Sequence, residues 1–144
     1  MRTSGVYEKG SLDFIELFGE LFRGSLPAEV GAVATFTGVT KAVGKDAKPV
    51  TKLEMQSYER HANKVLRQIA EEVRDKYGVP FVGIYHLSGE FAVGEPVVFV
   101  VVAGVNRREV FPALQEAVER YKREPALWKR EVYVDGSHEW IAHA

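Results

Sequence analysis

The sequence predicts an α+β fold in which helices pack on a mostly antiparallel sheet. Two long segments carry apolar residues at helical spacing, and residues 97–105 form a continuous apolar strand. Asp135-Gly136 separates two short β-prone segments and predicts a closing hairpin. The predicted order, β-α-β-β-α-β-β-α-β-β, mixes helices with strand pairs that need not be parallel, and 144 residues suit a single domain spanning 1–144.

The first helix is predicted over residues 11–23, with Ser11 as its N-cap and with Gly24 and Pro27 ending it. Its apolar residues recur at helical spacing: Phe14, Ile15, Phe18, Leu21 and Phe22. Residues 30–38 are small and β-prone, and they predict a strand that leads into a loop.

The loop covers residues 39–49 and is expected to be the flexible segment of the chain, because it has little apolar content. Its positive charge comes from Lys41, Lys45 and Lys48. Residues 51–58 then alternate as a half-buried strand. Leu53 and Met55 are predicted to face inward, and Lys52, Glu54 and Gln56 outward.

The clearest helix spans about residues 59–77 and is closed by Gly78 and Pro80. Residues 81–87 predict a strand, and the strand at 97–105 follows after a turn. The unbroken apolar character of 97–105 predicts burial on both faces.

A last helix is predicted over about residues 107–122, ended by Pro125. Its predicted buried residues are Val110, Phe111, Leu114, Ala117, Val118 and Tyr121. Residues 129–134 and 138–141 are the predicted strands of the closing hairpin.

Composition excludes several classes of function. With 19 Lys+Arg and 20 Asp+Glu the formal net charge is -1, so anion binding must come from a local cluster of positive charge. Cysteine is absent, which excludes disulfides, thiolate metal sites, a cysteine nucleophile and an enzyme-bound persulfide. No run approaches the ~18 apolar residues that span a bilayer, and no apolar signal core begins the chain, so we expect a cytoplasmic protein.

The densest positive charge lies in residues 120–131, RYKREPALWKRE. Pro125 breaks the helix between Lys122 and Lys129, so the chain can fold back and bring both amines to one pocket. Crowded ammonium groups favour the binding of an anion or proton-transfer chemistry. The alternative is a solvated helix end, where lysines favour the C-terminal dipole.

Asn106 is predicted to cap the last helix, with Glu109 completing a capping box. The same helix start offers backbone N–H groups to an anion, and Arg107 could add a bidentate phosphate contact. The two interpretations are compatible.

The histidines do not have the spacing of a metal site, so none is predicted. His86 lies in a predicted strand and is interpreted as a core or interface histidine. Dinucleotide, nucleoside-triphosphate and serine-hydrolase motifs are absent from the sequence.

Five segments carry a family resemblance: GAVATFTG (31–38), LEMQSYERHA (53–62), YHLSGEFAVGEPVVFVVVAG (85–104), Asn106-Arg107 and KREPALWKRE (122–131). In this order they resemble the large, catalytic subunits of molybdopterin synthase, the MoaE family, over about residues 30–141. The last segment is the most specific.

The resemblance implies an α/β hammerhead-type core with an added antiparallel subdomain. It implies a sulfurtransferase that builds the molybdopterin dithiolene on cyclic pyranopterin monophosphate, without a cofactor of its own. Sulfur then comes from the C-terminal thiocarboxylate of a small ubiquitin-like partner, and the chain forms a homodimer within a heterotetramer.

By the same resemblance, Lys122 is the main catalytic amine, and Lys129 stabilises negative charge or holds an acyl intermediate. The implied substrate-binding residues are Val39, Thr40, Lys41, Asn106, Arg107, Lys122, Lys129, Arg130 and Glu131. Glu131 is expected to orient the basic groups rather than to act as the acid.

Two positions depart from the family pattern. Lys41 stands where the family typically has an arginine, which keeps the charge but loses the planar fork. Asn106 stands where the family has a histidine, so an acid–base role at that position does not carry over.

Two other functions remain open at this stage. A non-catalytic dimer that senses a phosphorylated metabolite would use the same basic pocket, because one fold hosts many functions. A nucleic-acid-binding module has the basic clusters in its favour, but the net charge and the lack of an RNA motif are against it.

Overall fold

The computed structural model describes residues 1–125 and 127–141. Within these ranges three α-helices pack on a seven-stranded sheet, which confirms the predicted fold class. The helices are α1 (Phe14–Glu20), α2 (Glu59–Tyr77) and α3 (Arg107–Arg123). The strands are β1 (Gly5–Glu8), β2 (Ala32–Val39), β3 (Val50–Ser57), β4 (Phe81–Ala92), β5 (Pro96–Gly104), β6 (Leu127–Tyr133) and β7 (His138–Ile141).

The sheet has the order β2-β5-β4-β3-β6-β7, and β1 pairs with β4 in parallel, whereas the other pairs are antiparallel. β4 changes partners along its length: residues 81–86 pair with β5 and residues 89–92 pair with β3. This double pairing explains why β4 is longer than the predicted strand at 81–87. β4 thereby joins one half of the sheet (β2 and β5) to the other (β3, β6 and β7).

The core occupies both faces of β5, as its sequence predicts. Val98, Val100 and Val102 lie in the cluster that contains the buried residues of α2 and α3. Phe99 and Val101 lie in a second cluster with residues of α1. The alternation of the strand thus serves two layers of helix.

Local signals locate α2 and α3 correctly. α2 has the predicted bounds and ends at Gly78, which adopts the left-handed conformation that glycine tolerates best (φ 64°). At the start of α3, Asn106 Oδ1 accepts a hydrogen bond from the Arg108 N–H (2.9 Å), and Glu109 Oε1 accepts one from the Asn106 N–H (2.8 Å). The predicted capping box is therefore confirmed.

The first helix differs from its prediction. Asp13 rather than Ser11 caps α1, because its carboxylate accepts from the N–H groups of Ile15 and Glu16, while the Ser11 hydroxyl donates to the Glu8 carbonyl. Leu17 forms the buried side of α1, and Ile15 is 84% exposed. A π-helical turn at Leu21–Ser25 follows α1.

Phe111, predicted to be buried in α3, is 60% exposed, and Ala113 is buried in its helix instead. The C-terminal hairpin is confirmed: β6 pairs with β7, and Asp135 accepts a hydrogen bond from the Ser137 N–H at the turn (2.8 Å).

In the described part of the chain, no helix combines the length and apolar character needed to cross a membrane.

Candidate active site

A cavity of about 330 Å³ lies where the two halves of the sheet meet, beside the C-terminal end of α3. Strands β2 to β7, the segment after β2 and the end of α3 all contribute to its lining. Much of the wall is apolar. The polar and charged lining includes Thr40, Lys41, His86, Lys122, Lys129 and Glu131.

Lys122 and Lys129 both line this cavity. Lys122 lies in the last turn of α3, and the chain then turns at Pro125, whose carbonyl accepts a hydrogen bond from the Leu127 N–H (2.9 Å). Alternation along β6 then directs Leu127, Lys129 and Glu131 to the cavity. The two lysines therefore share one concave surface despite the proline between them.

The electrostatic environment differs between the lysines. Burial lowers the pKa of the Lys129 ammonium, and the positive charges of Lys41 and Lys122 lower it further, whereas Glu131 opposes the shift. The Lys122 Nζ lies 6.0 Å from the centroid of the Phe36 ring, within the range of a cation–π contact. Among the described lining residues, three lysines face one carboxylate, which suits an anionic ligand.

Glu131 connects the cavity to the segment that carries Lys41. Its side chain is buried, and its Oε1 accepts hydrogen bonds from the Lys45 N–H and the Tyr133 hydroxyl, both at 2.9 Å. The segment itself contains a 3₁₀ turn at Lys45–Ala47. The carboxylate thus holds the loop after β2 against β6, and its expected role in orienting the basic groups stays a prediction.

The three predicted residues at the end of β2 differ in exposure. Thr40 is 4% exposed, whereas Val39 is 49% exposed and Lys41 is also exposed. Two hydrogen bonds hold the backbone of Thr40: its N–H donates to the Glu95 carbonyl (3.0 Å), and its carbonyl accepts from the Gly94 N–H (2.9 Å). Its buried Oγ1 has no hydrogen-bond partner among the described residues, so a polar group of a ligand could satisfy it.

Arg130 does not line the cavity. Since it alternates with Lys129 and Glu131 along β6, its guanidinium lies on the other side of the sheet, where its Nε donates to Glu54 Oε2 (2.6 Å). Its Cζ lies 5.6 Å from the centroid of the Trp140 ring. Glu54 was predicted to face outward, but it is buried (7% exposed). Burial raises the pKa of its carboxyl, and the positive charges of Arg130 and Lys52 outweigh that effect and hold the pKa below its usual value.

Asn106 and Arg107 lie at the opposite end of α3 from Lys122. Arg107 is separated from Lys122 by about 22 Å along the helix axis, at 1.5 Å per residue. Both residues are exposed, and neither lines the cavity of its own chain. Their substrate contacts, like that of Arg130, stay predictions.

His86 and Tyr121 also line the cavity, and the sequence did not indicate either of them as a site residue. His86 is 3% exposed, and its ring centroid lies 5.8 Å from that of Tyr121. Alternation predicts which strand neighbours share a face with His86, but the cavity depends on the pairing of β4 with β5. In the described part of the chain, no three His, Asp or Glu side chains are grouped to hold a metal ion.

Comparison with known proteins identifies the family. The family model described as MoaE protein matches residues 10–124. The chain belongs to the MoaE family. The match begins earlier than the resemblance seen in the sequence and stops before Lys129, so the second lysine lies outside the matched range.

Relatives of the MoaE chain are named molybdopterin synthase catalytic subunits. One from Nostoc sp. is 36% identical over 113 residues, covering 78% of this chain and 68% of the relative. Catalytic subunit 1 from Aedes aegypti is 33% identical over 137 residues, covering 93% and 87%. These matches give the MoaE chain an enzymatic role in molybdopterin biosynthesis as a catalytic subunit.

Solved structures agree with this fold. The crystal structure of molybdopterin synthase from Staphylococcus aureus superposes with a TM-score of 0.85 at 25% identity and covers 99% of both chains. A complex of subunits 1 and 2 of molybdopterin-converting factor from Helicobacter pylori superposes with a TM-score of 0.75 at 20% identity, covering 94% of this chain and 88% of that one.

Proposed function

We propose that this chain transfers sulfur to cyclic pyranopterin monophosphate and thereby forms the dithiolene of molybdopterin. The observation that carries the proposal is the convergence of Lys122 and Lys129, together with Lys41, on one cavity. A cyclic phosphate is anionic, and clustered ammonium groups offset the cost of removing that charge from water.

The sulfur donor is proposed to be the C-terminal thiocarboxylate of a small ubiquitin-like partner. The chain has no cysteine, so it has no thiol on which to carry sulfur itself. The two-subunit Helicobacter pylori neighbour is consistent with such a partner. The proposed assembly is a homodimer of this chain with one small subunit at each end, acting in the cytoplasm.

The two lysines are proposed to divide the chemistry. Lys122 assists the attack of the thiocarboxylate sulfur or transfers a proton at the pterin side chain. Lys129, whose pKa is lowered, has a larger neutral fraction than an ordinary lysine and is suited to holding the acyl group or stabilising developing negative charge. Lys41 is proposed to bind the substrate from the loop that Glu131 holds.

The test mixes the chain with a thiocarboxylated ubiquitin-like protein and cyclic pyranopterin monophosphate, and measures the dithiolene product. Lys122→Ala should abolish product formation while keeping the far-UV circular dichroism of the wild type. Lys64→Ala is the matched control, because Lys64 is exposed on α2 and does not line the cavity. Full activity of Lys122→Ala would refute its role, and substrate binding without turnover by the complete wild-type mixture would refute the enzymatic proposal.

A further inference from the structure

His86 lies at the point where β4 passes from one half of the sheet to the other. It pairs with Val98 of β5 and Val6 of β1, and three residues later Gly89 pairs with Met55 of β3. The imidazole is buried and lines the same cavity as Lys122 and Lys129. The chemistry proposed above assigns it no role.

The hydrogen bond at Nδ1 determines the tautomer of the ring. Nδ1 lies 2.9 Å from the carbonyl oxygen of Leu87. A carbonyl oxygen can only accept, so Nδ1 carries the proton and donates it to Leu87. In the neutral ring, Nε2 is then the nitrogen that presents a lone pair.

The surroundings keep this ring neutral. Burial lowers the pKa of His86 to about 4, the hydrogen bond to Leu87 partly opposes that shift, and the charge of Lys129 lowers it further. Tyr121 packs against the ring from α3, where the adjacent Lys122 also lines the cavity. Near neutral pH the cavity therefore combines cationic groups with one imidazole acceptor.

The cavity that His86 lines has a largely apolar wall, with Val98, Leu53 and Met55 among the lining residues. A ligand N–H or O–H group that enters such a place loses its hydrogen bond to water and needs a protein acceptor in exchange. A neutral nitrogen lone pair fulfils this need without adding a charge.

We propose that His86 Nε2 accepts a hydrogen bond from an N–H or O–H group of the anionic substrate, and so selects ligands that carry such a donor, while the lysines bind the negative charge. This inference rests on the proposed function and deepens it. It makes His86 a specificity-determining residue for the heterocyclic or hydroxyl-bearing part of the substrate rather than for its phosphate.

The test compares His86→Leu and His86→Gln in the dithiolene assay. His86→Leu should raise the KM for cyclic pyranopterin monophosphate about tenfold with kcat within about twofold, because the donor group of the substrate is then buried without an acceptor. His86→Gln keeps an acceptor oxygen and should restore the KM to within about threefold of wild type. An unchanged KM in His86→Leu, or a loss confined to kcat, would overturn the inference.

Two controls separate a binding role from a structural one. Tyr85→Phe alters a neighbouring buried residue of β4, whose hydroxyl donates to the Arg2 carbonyl (2.8 Å) away from the cavity, and should leave the KM unchanged. Sulfate has no donor hydrogen, so it should inhibit wild type and His86→Leu equally, and selective loss of sulfate inhibition in His86→Leu would count against the inference.

Failure of the proposed function can be distinguished from failure of the inference about His86. If the wild type makes no dithiolene in the complete mixture, the proposed function fails. Calorimetric binding of cyclic pyranopterin monophosphate to wild type and His86→Leu still tests the inference. Binding at least about tenfold weaker by the variant supports it, and equal binding by the two proteins, or no binding by the wild type, overturns it.

Discussion

Replacing Gly44 by alanine should disturb the two hydrogen bonds by which Glu131 of β6 holds the loop after β2, here called the Glu131 clamp. A Cβ on Gly44 would lie 2.6 Å from Cδ and 2.7 Å from Oε2 of Glu131, closer than real Cβ atoms approach other groups. The backbone at Gly44 is extended (φ -103°, ψ -152°) and has a negative φ that alanine adopts, and the three atoms nearest to the added Cβ all belong to the Glu131 carboxylate. The carboxylate must then move away from the Lys45 N–H and the Tyr133 hydroxyl.

The magnitude follows from these two hydrogen bonds. A hydrogen bond to a charged group contributes about 1.5–3 kcal/mol, so disturbing both should lower the free energy of unfolding of Gly44→Ala by about 3 kcal/mol. For a chain of this size the midpoint of thermal unfolding should fall by about 6–12 °C.

A double-mutant cycle isolates the cause. Urea unfolding, followed by circular dichroism, is measured for wild type, Gly44→Ala, Glu131→Ala and the double variant. Once Glu131 is shortened, Gly44→Ala should cost less than about 0.5 kcal/mol, because the added methyl group no longer meets the carboxylate. Additive effects of the two substitutions would refute the clamp.

Three further predictions concern other parts of the molecule. Asn106→Ala removes the side-chain cap of α3 and should lower the free energy of unfolding by about 1 kcal/mol in urea titrations; an unchanged midpoint would contradict the role of the cap. Because burial lowers the pKa of His86 to about 4, at mildly acidic pH the unfolded chain binds a proton on this residue that the folded chain does not. The free energy of unfolding of the wild type, measured by urea titration, should therefore fall by about 3 kcal/mol relative to that of His86→Gln between pH 7 and pH 4, and a difference that stays constant with pH would contradict this. Arg130→Ala leaves the buried carboxylate of Glu54 without its guanidinium partner and should lower the free energy of unfolding by about 2 kcal/mol in urea titrations, and an unchanged unfolding midpoint would contradict the role of this ion pair.

Local patterns predicted much of the fold. The bounds of α2, the capping box at Asn106 and the turn at Asp135-Gly136 depend on periodicity or on side chains a few residues apart, and the structure has all three. The prediction for the first helix was less accurate. Ser11 and Asp13 are both good N-cap residues, so the sequence does not show which of them begins α1, and the side that contains Leu17 is buried only in the folded protein.

The sequence alone determined the fold class and an unusual density of positive charge around Pro125, because these depend on neighbours along the chain. The tertiary structure decided which charges meet. Arg130 and Lys129 are adjacent in sequence, yet Arg130 binds Glu54, 76 residues away, while Lys129 shares a cavity with Lys122 and His86. The reason is that the two faces of β6 become different environments only after β3 and β4 have paired, and that register is a long-range property of the folded sheet.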